Sequence, residues 1–339
     1  MDQDTTPTPL SDLVDSKGVL VADGGMGTSL FAAGLHPGET PELWNVERPE
    51  AVIAVHRGFI EAGSDIILTN TFGGTRTRLD LDRKGDRVAE LNGAGVAVAR
   101  AAAEGTSVIV AGSVGPTGAL FEPLGPLTHA EAVAVFTEQM DALAAAGAEL
   151  LWIETLSSVE ELAAAVEAAE STGVPFVTTM SFDTNGHTMM GVAPAGLAGW
   201  WASHDAGKPV AIGANCGVGP ADTVLAAHQI KDAGAEVAIV AKGNCGIPAV
   251  VDGRLWYPAS SDDMTAYAEL ALDAGARIIG ACCGSTPEHI AQIRTVVDAY
   301  QPGEVFDAGQ VEDRLGKVDR PADREQRGRR RRRAVTPVE

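Results

Sequence analysis

Four short segments of this sequence are nearly the same, and each stands just before an apolar run. Glu61-Ala62-Gly63-Ser64, Ala146-Gly147-Ala148-Glu149, Asp232-Ala233-Gly234-Ala235-Glu236 and Asp273-Ala274-Gly275-Ala276 each read as the end of a helix. A glycine at that point can take the left-handed conformation that stops a helix, after which the chain turns into a strand. A joint repeated this regularly implies a repeated helix-to-strand unit. The candidate strands are 19–22, 65–71, 108–113, 150–155, 176–181, 210–215, 237–241 and 277–281. They are rich in Val, Ile and Leu and alternate little, as parallel strands buried on both faces do. Helices are expected over 49–61, opening on Pro49, and over 128–146, where Thr128-His129-Ala130-Glu131 reads as a capping box. Two more, over 158–171 and 286–300, open on plausible caps.

Eight such units predict an α/β chain folded as a (β/α)8 TIM barrel, with functional residues just beyond the strand ends. The 339 residues suit one such domain. The expected division is an N-terminal arm over 1–16, a barrel over 17–302 and a polar C-terminal extension over 303–339. A doubly wound open sheet is the alternative. Asp23-Gly24-Gly25-Met26-Gly27 does not match the dinucleotide fingerprint that would favour it.

The formal net charge of −21 makes general nucleic-acid binding unlikely, since phosphate contacts need a positive field. Arg327 and Arg329 to Arg333 oppose that trend near the C-terminus. Such a block reads as a solvated, disordered tail, or as a contact to RNA, to an acidic surface or to the protein's own acidic body. No apolar stretch reads as a secretory signal or a membrane span, so a cytoplasmic protein is expected. In that compartment its 4 cysteines are better candidates for metal binding or catalysis than for disulfides. A homo-oligomer remains an option.

Gly280-Ala281-Cys282-Cys283-Gly284-Ser285 closes the eighth expected strand, and Gly213-Ala214-Asn215-Cys216-Gly217 closes the sixth. Adjacent cysteines can be core fillers, a vicinal disulfide or metal ligands. Neighbours on a strand point to opposite faces, so two reach one ion only where the strand ends and bends. In a barrel both strand ends open on the same mouth, where three thiolates would converge. Three protein ligands and one open position is the catalytic zinc arrangement. Asn244-Cys245-Gly246 imitates the sixth-strand motif after strand seven, and Cys245 is read as near the site but not a ligand. The histidines form no comparable cluster.

These motifs resemble those of the homocysteine S-methyltransferases. The resemblance rests on Asp23-Gly24-Gly25-Met26-Gly27-Thr28, Thr69-Asn70-Thr71-Phe72, Gly213-Ala214-Asn215-Cys216 and Gly280-Ala281-Cys282-Cys283-Gly284-Ser285, in that order. Ala281 and Ser285 stand where the family has Gly and Thr. The nearest likeness is to bacterial betaine–homocysteine methyltransferases, through Pro41-Glu42-Leu43-Trp44-Asn45-Val46, Gly112 to Gly118, Thr179 to Asp183, Ala241-Lys242-Gly243-Asn244 and the arginine-rich tail.

The resemblance implies a barrel with zinc on Cys216, Cys282 and Cys283 that methylates the thiol of L-homocysteine to give methionine. It implies that Glu154 engages the substrate ammonium, with Asp23 assisting. Backbone amides around Gly24, Gly25 and Met26 would take the carboxylate. Glycine betaine is the expected small-molecule donor, giving dimethylglycine. S-methylmethionine and a methylated corrinoid on a partner protein are the alternatives, and a non-catalytic zinc- or thiol-binding barrel is an alternative of another class. Animal betaine enzymes place tyrosines where this chain has Gly73 and Thr155. An aromatic cage must therefore use other residues, first Trp44, then Trp152, Trp256 or Tyr257.

Overall fold

The computed structural model describes residues 14, 16–204, 207, 209–251, 254–301, 306–316 and 318. The arginine-rich tail and nearly all of the expected N-terminal arm lie outside the described residues. The strands in chain order are β1 (Leu20–Val21), β2 (Ile66–Leu68), β3 (Ile109–Val114), β4 (Leu150–Leu156), β5 (Phe176–Met180), β6 (Ala211–Cys216), β7 (Ala238–Gly243), β8 (Ala249–Val251), β9 (Arg254–Trp256) and β10 (Ile278–Ala281). Strands β8 and β9 form a separate antiparallel hairpin. The other eight make one parallel sheet in the order β1-β10-β7-β6-β5-β4-β3-β2. Its two end strands meet: Ala22 bridges Ile66, and the Asp65 amide donates to the Val21 carbonyl at 2.7 Å. The sheet thus curls into the (β/α)8 barrel that the repeated joints predict.

Those joints behave as their sequence requires. Gly63, Gly147, Gly234 and Gly275 have φ of +99°, +91°, +88° and +96°. At three of them the next amide reaches back to close the helix: Ser64 to the Phe59 carbonyl, Ala148 to Leu143 and Ala276 to Ala271. The helices Pro49–Glu61, His129–Ala145, Val159–Thr172 and Pro287–Ala299 occupy the expected spans, and Thr128 and Glu131 form the expected capping box.

Parity along the strands fills the barrel and then changes its character. Every second residue points inward. Leu20 and Ala22 of the first unit, Leu150 and Trp152 of β4, and Val240 of β7 pack together in the lumen. Their outward neighbours Val21, Leu151, Ile153, Ile239 and Ala241 join the helix-facing core. One inward step further, the lumen turns polar: Ser113, Glu154, Thr179, Asn215 and Lys242 are all buried there. The apolar plug forms the floor, and this polar layer forms the base of the mouth.

Two elements were not evident from the apolar runs. The β8–β9 hairpin interrupts the seventh strand-to-helix connection. In the extension, helix Ala308–Leu315 buries Val311 against the helix-facing core, so at least this part packs back on the barrel. Among the described residues, no helix is long and apolar enough to cross a membrane.

Candidate metal centre

The three thiols meet because two strands end by bending. Asn215 faces the lumen, so regular strand geometry would send Cys216 the other way. Instead Cys216 takes a left-handed φ of +58°, followed by Gly217 at +71°. That turn brings its Sγ within 3.3 Å of Cys282 Sγ. Cys282 and Cys283 directly follow the last residue of β10. The Sγ atoms of Cys216, Cys282 and Cys283 all lie within 4.8 Å of one another, and none is in a disulfide. S–H donation from Cys216, then from Cys282, pulls the Cys283 thiol down to about 3. The bonds to Cys282 and Cys283 hold Cys216 well above the usual thiol range. Three soft sulfur donors this close, with no histidine or carboxylate ligand among them, fit a zinc ion with one coordination position to spare.

Asn244 ties the two cysteine loops together. Its side chain donates to the Gly217 carbonyl at 2.8 Å and accepts from the Cys283 amide at 2.9 Å. Its own amide donates to the Cys216 carbonyl at 3.1 Å. The first loop is joined to the same assembly through Ser285, whose Oγ donates to the Cys282 carbonyl at 2.7 Å and accepts from the Gly25 amide at 2.9 Å. A Cβ on Gly25 would stand 2.6 Å from the Cys282 carbonyl oxygen, and one on Gly24 would stand 2.5 Å from the Phe59 ring. These two glycines are therefore required for close approach, and Gly25 already spends its amide on Ser285.

The polar layer holds three charged side chains. Glu154 accepts from Ser113 Oγ at 2.6 Å and from Asn215 Nδ2 at 3.3 Å. Burial raises its carboxyl to about 7, against the opposing pull of the Lys242 ammonium. Asp23 accepts from the Leu68 amide at 2.8 Å through Oδ2. Its other oxygen lies 3.3 Å from Lys242 Nζ, yet no hydrogen bond reaches it. We read this as an ion pair with poor hydrogen-bond alignment. Burial raises the Asp23 carboxyl too, more than Lys242 lowers it. For Lys242 burial acts downward, but Asp23, Cys282 and Glu154 together outweigh it and hold the ammonium above the ordinary lysine range. Lys242 also donates to the Ala281 carbonyl at 2.8 Å. Thr155 has a left-handed φ of +65° and is locked by Asn215, which accepts from its amide at 2.8 Å and donates to its hydroxyl at 2.7 Å.

The expected aromatic residues are dispersed. Trp44 is buried with Leu30, Leu35 and Val52 in a separate cluster, with the Arg48 guanidinium 4.8 Å from its ring centroid. Trp152 is fully buried in the barrel floor, and Trp256 is half exposed on β9. Tyr257 is the one beside the thiols: a Cβ on Gly284 would stand 2.1 Å from its ring. Burial, then Cys283 and Cys282, push its hydroxyl up to about 12. A Cβ on Gly73 would stand 2.9 Å from Glu42 Oε1, which accepts from the Gly73 amide, so a side chain there would have to displace Glu42. Cys245 is fully buried, with its Sγ 3.9 Å from Met264 Sδ and 3.8 Å from His289 Nδ1. The sequence motifs contain Lys242 and Asn244 but assign neither a role. The available signal was a lysine ending the apolar strand Ile239-Val240-Ala241.

The profile of the homocysteine S-methyltransferase family matches residues 20–297. Methionine synthase of Mycobacterium tuberculosis is 31% identical over 311 residues, covering 85% of this chain and 25% of that protein. The chain thus spans about a quarter of that relative's length. Betaine–homocysteine S-methyltransferase 1 of Rattus norvegicus is 31% identical over 313 residues, covering 85% of this chain and 74% of that protein. Among solved structures, the metallated form of the homocysteine methyltransferase MmuM from Escherichia coli superposes with a TM-score of 0.70 at 27% identity. That match covers 85% of this chain and 99% of the other. With the profile spanning most of the barrel, the chain belongs to the homocysteine S-methyltransferase family.

Proposed function

We propose that the chain transfers a methyl group from glycine betaine to the thiol of L-homocysteine, with zinc held by Cys216, Cys282 and Cys283. The observation that carries this reading is the cluster of three free thiols, with two buried carboxylates that both feel the charge of Cys282. Zinc bound there would supply one thing, a substrate thiol held as thiolate near neutral pH. The rest falls to the chain. Glu154 and the hydrogen-bond-poor oxygen of Asp23 receive the ammonium of the amino acid. With the Gly25 amide taken, the amides of Gly24 and Met26 remain for its carboxylate. A quaternary ammonium donor leaves as a neutral amine and needs no acid, but its cation favours an aromatic face. We place that cation against Tyr257 rather than Trp44, because Trp44 is packed away with Arg48 on its ring.

One observation favours a second reading, a donor methyl carried by a partner protein. Exposed apolar side chains gather on the connections that leave the mouth: Leu120 and Leu124, Met189 and Met190, and Val250 and Trp256 of the hairpin. The test is methionine formation by zinc-loaded protein from homocysteine with glycine betaine, S-methylmethionine or methylcobalamin. Turnover with betaine alone is expected. Turnover with methylcobalamin alone would replace this reading with the second. No turnover with any donor would leave a thiol-binding barrel.

A further inference from the structure

Lys242 stands out within the polar layer. It lies in a strand whose other inward residues are Ala238 and Val240, and its side chain is 3% exposed. An ammonium sealed at that depth is strongly disfavoured unless anions pair with it. Three titratable groups act on it from three elements: Asp23 after β1, Glu154 on β4 and Cys282 after β10. Among the described residues no second cation acts on it. Burial is the main force against ionising Glu154, and Asp23 adds to it as a like charge. Two carboxylates sharing a buried site do not both ionise readily, and one then retains a proton.

We propose that Lys242 is a positioning residue for acceptor recognition, the fixed counter-charge that lets Asp23 and Glu154 ionise together to receive the substrate's ammonium. The charge count supports it. Two carboxylates and one ammonium leave the layer at a net charge of −1, which one incoming ammonium neutralises. Without Lys242 the pair keeps a proton, and that proton must leave before both carboxylates can receive the substrate. Lys242 also donates to Ala281, next to Cys282, so the same side chain links the carboxylate pair to the thiol loop. The inference rests on homocysteine being the acceptor.

The experiment is calorimetric titration of zinc-loaded protein with homocysteine at pH 8.5, above the Glu154 titration at about 7, in buffers of different ionisation enthalpy, which counts protons released on binding. Zinc content is measured on every variant. The proton from the substrate thiol is common to all variants and cancels in the comparison. Lys242→Met should release about one more proton than the unaltered protein, and bind more weakly by about tenfold for each pH unit below the shared carboxylate titration. Lys242→Arg should restore the original proton count. Because Lys242→Met alone leaves an uncompensated buried carboxylate and could unfold, Lys242→Met/Asp23→Asn is measured as well. It removes one charge of each sign, but burial still acts on Glu154 with its counter-charge gone, so it should release the same extra proton as Lys242→Met while binding less tightly. Equal proton release by the unaltered protein and Lys242→Met would overturn the proposal, as would an unchanged proton count in the double variant. No binding by the unaltered protein would instead sink the acceptor reading, and this inference with it.

Discussion

The tripeptide Asn-Cys-Gly occurs twice, as Asn215-Cys216-Gly217 and as Asn244-Cys245-Gly246, and the two copies have opposite fates. Cys216 is the last residue of β6 and bends into the thiol cluster. Cys245 is buried between Met264 and His289. Register explains the difference. Across the β6–β7 pair, Cys216 lies opposite Gly243, so Cys245 comes two residues too late. The asparagines diverge as well. Asn215 points down into the polar layer and holds Thr155 and Glu154, whereas Asn244 spans sideways between the two cysteine loops. The same three residues give a candidate ligand at a strand end and a loop support two positions beyond one. Position in the barrel decides the role, and local sequence does not.

That contrast can be broken most directly at the thiols. Cys216→Ala should weaken zinc binding by more than the about 100-fold that losing a supporting contact costs, and abolish methionine formation. Metal content after dialysis against a chelator reports the first effect. Full retention of zinc would mean that the strand-end cysteine is not a ligand.

The two asparagines are separated by the next measurements. Glu154→Gln, at the carboxylate that Asn215 supports, should lower kcat/KM for homocysteine roughly 10- to 100-fold, the worth of a charge-assisted hydrogen bond, and leave zinc in place. The Glu154 carboxyl sits at about 7, and only its ionised form pairs with an ammonium. In the parent protein kcat/KM should therefore fall as the pH drops through that value, and Glu154→Gln should lose this limb. Asn244→Ala acts on the loops instead. It should reduce zinc affinity by about 10-fold and raise the homocysteine KM little, as loss of a ligand-supporting contact does. A large KM effect without a change in metal affinity would move Asn244 from the metal loops to the substrate.

Cys245→Ala should have the smallest effect, about 1 kcal/mol of stability as for an ordinary buried substitution, with zinc affinity and activity near the parent values. Thermal melting and metal titration of the same sample check both. A zinc loss comparable to that of Cys216→Ala would erase the distinction between the two tripeptides.

Much of this architecture was legible because local chemistry and global fold agree. The glycine joints at 63, 147, 234 and 275 announced the repeat, and the apolar runs placed all eight barrel strands within a few residues. The convergence of Cys216 with Cys282 and Cys283 also followed from strand ends sharing one mouth. Other features depend on contacts that no spacing encodes. The aromatic role expected of Trp44 is a case: its ring is packed against Leu30, Leu35 and Val52, which come from other parts of the chain. Tyr257 lies beside the thiols only because the unanticipated β8–β9 hairpin returns the chain there. Lys242 is locally a single charge after an apolar run, and only parity within the barrel turns it inward toward Asp23. The left-handed Cys216 could not be foreseen from local sequence, since Asn244-Cys245-Gly246 repeats its tripeptide without a left-handed cysteine.

The central claim is that Cys216, Cys282 and Cys283, and not Cys245, hold a metal with one position for the substrate thiol. Zinc X-ray absorption of Cys245→Ala protein, with and without homocysteine, tests it most directly. The account predicts three sulfur scatterers at about 2.3 Å alone and four once homocysteine is added. A sulfur count unchanged by homocysteine, or a first shell with fewer than three sulfurs, would contradict it.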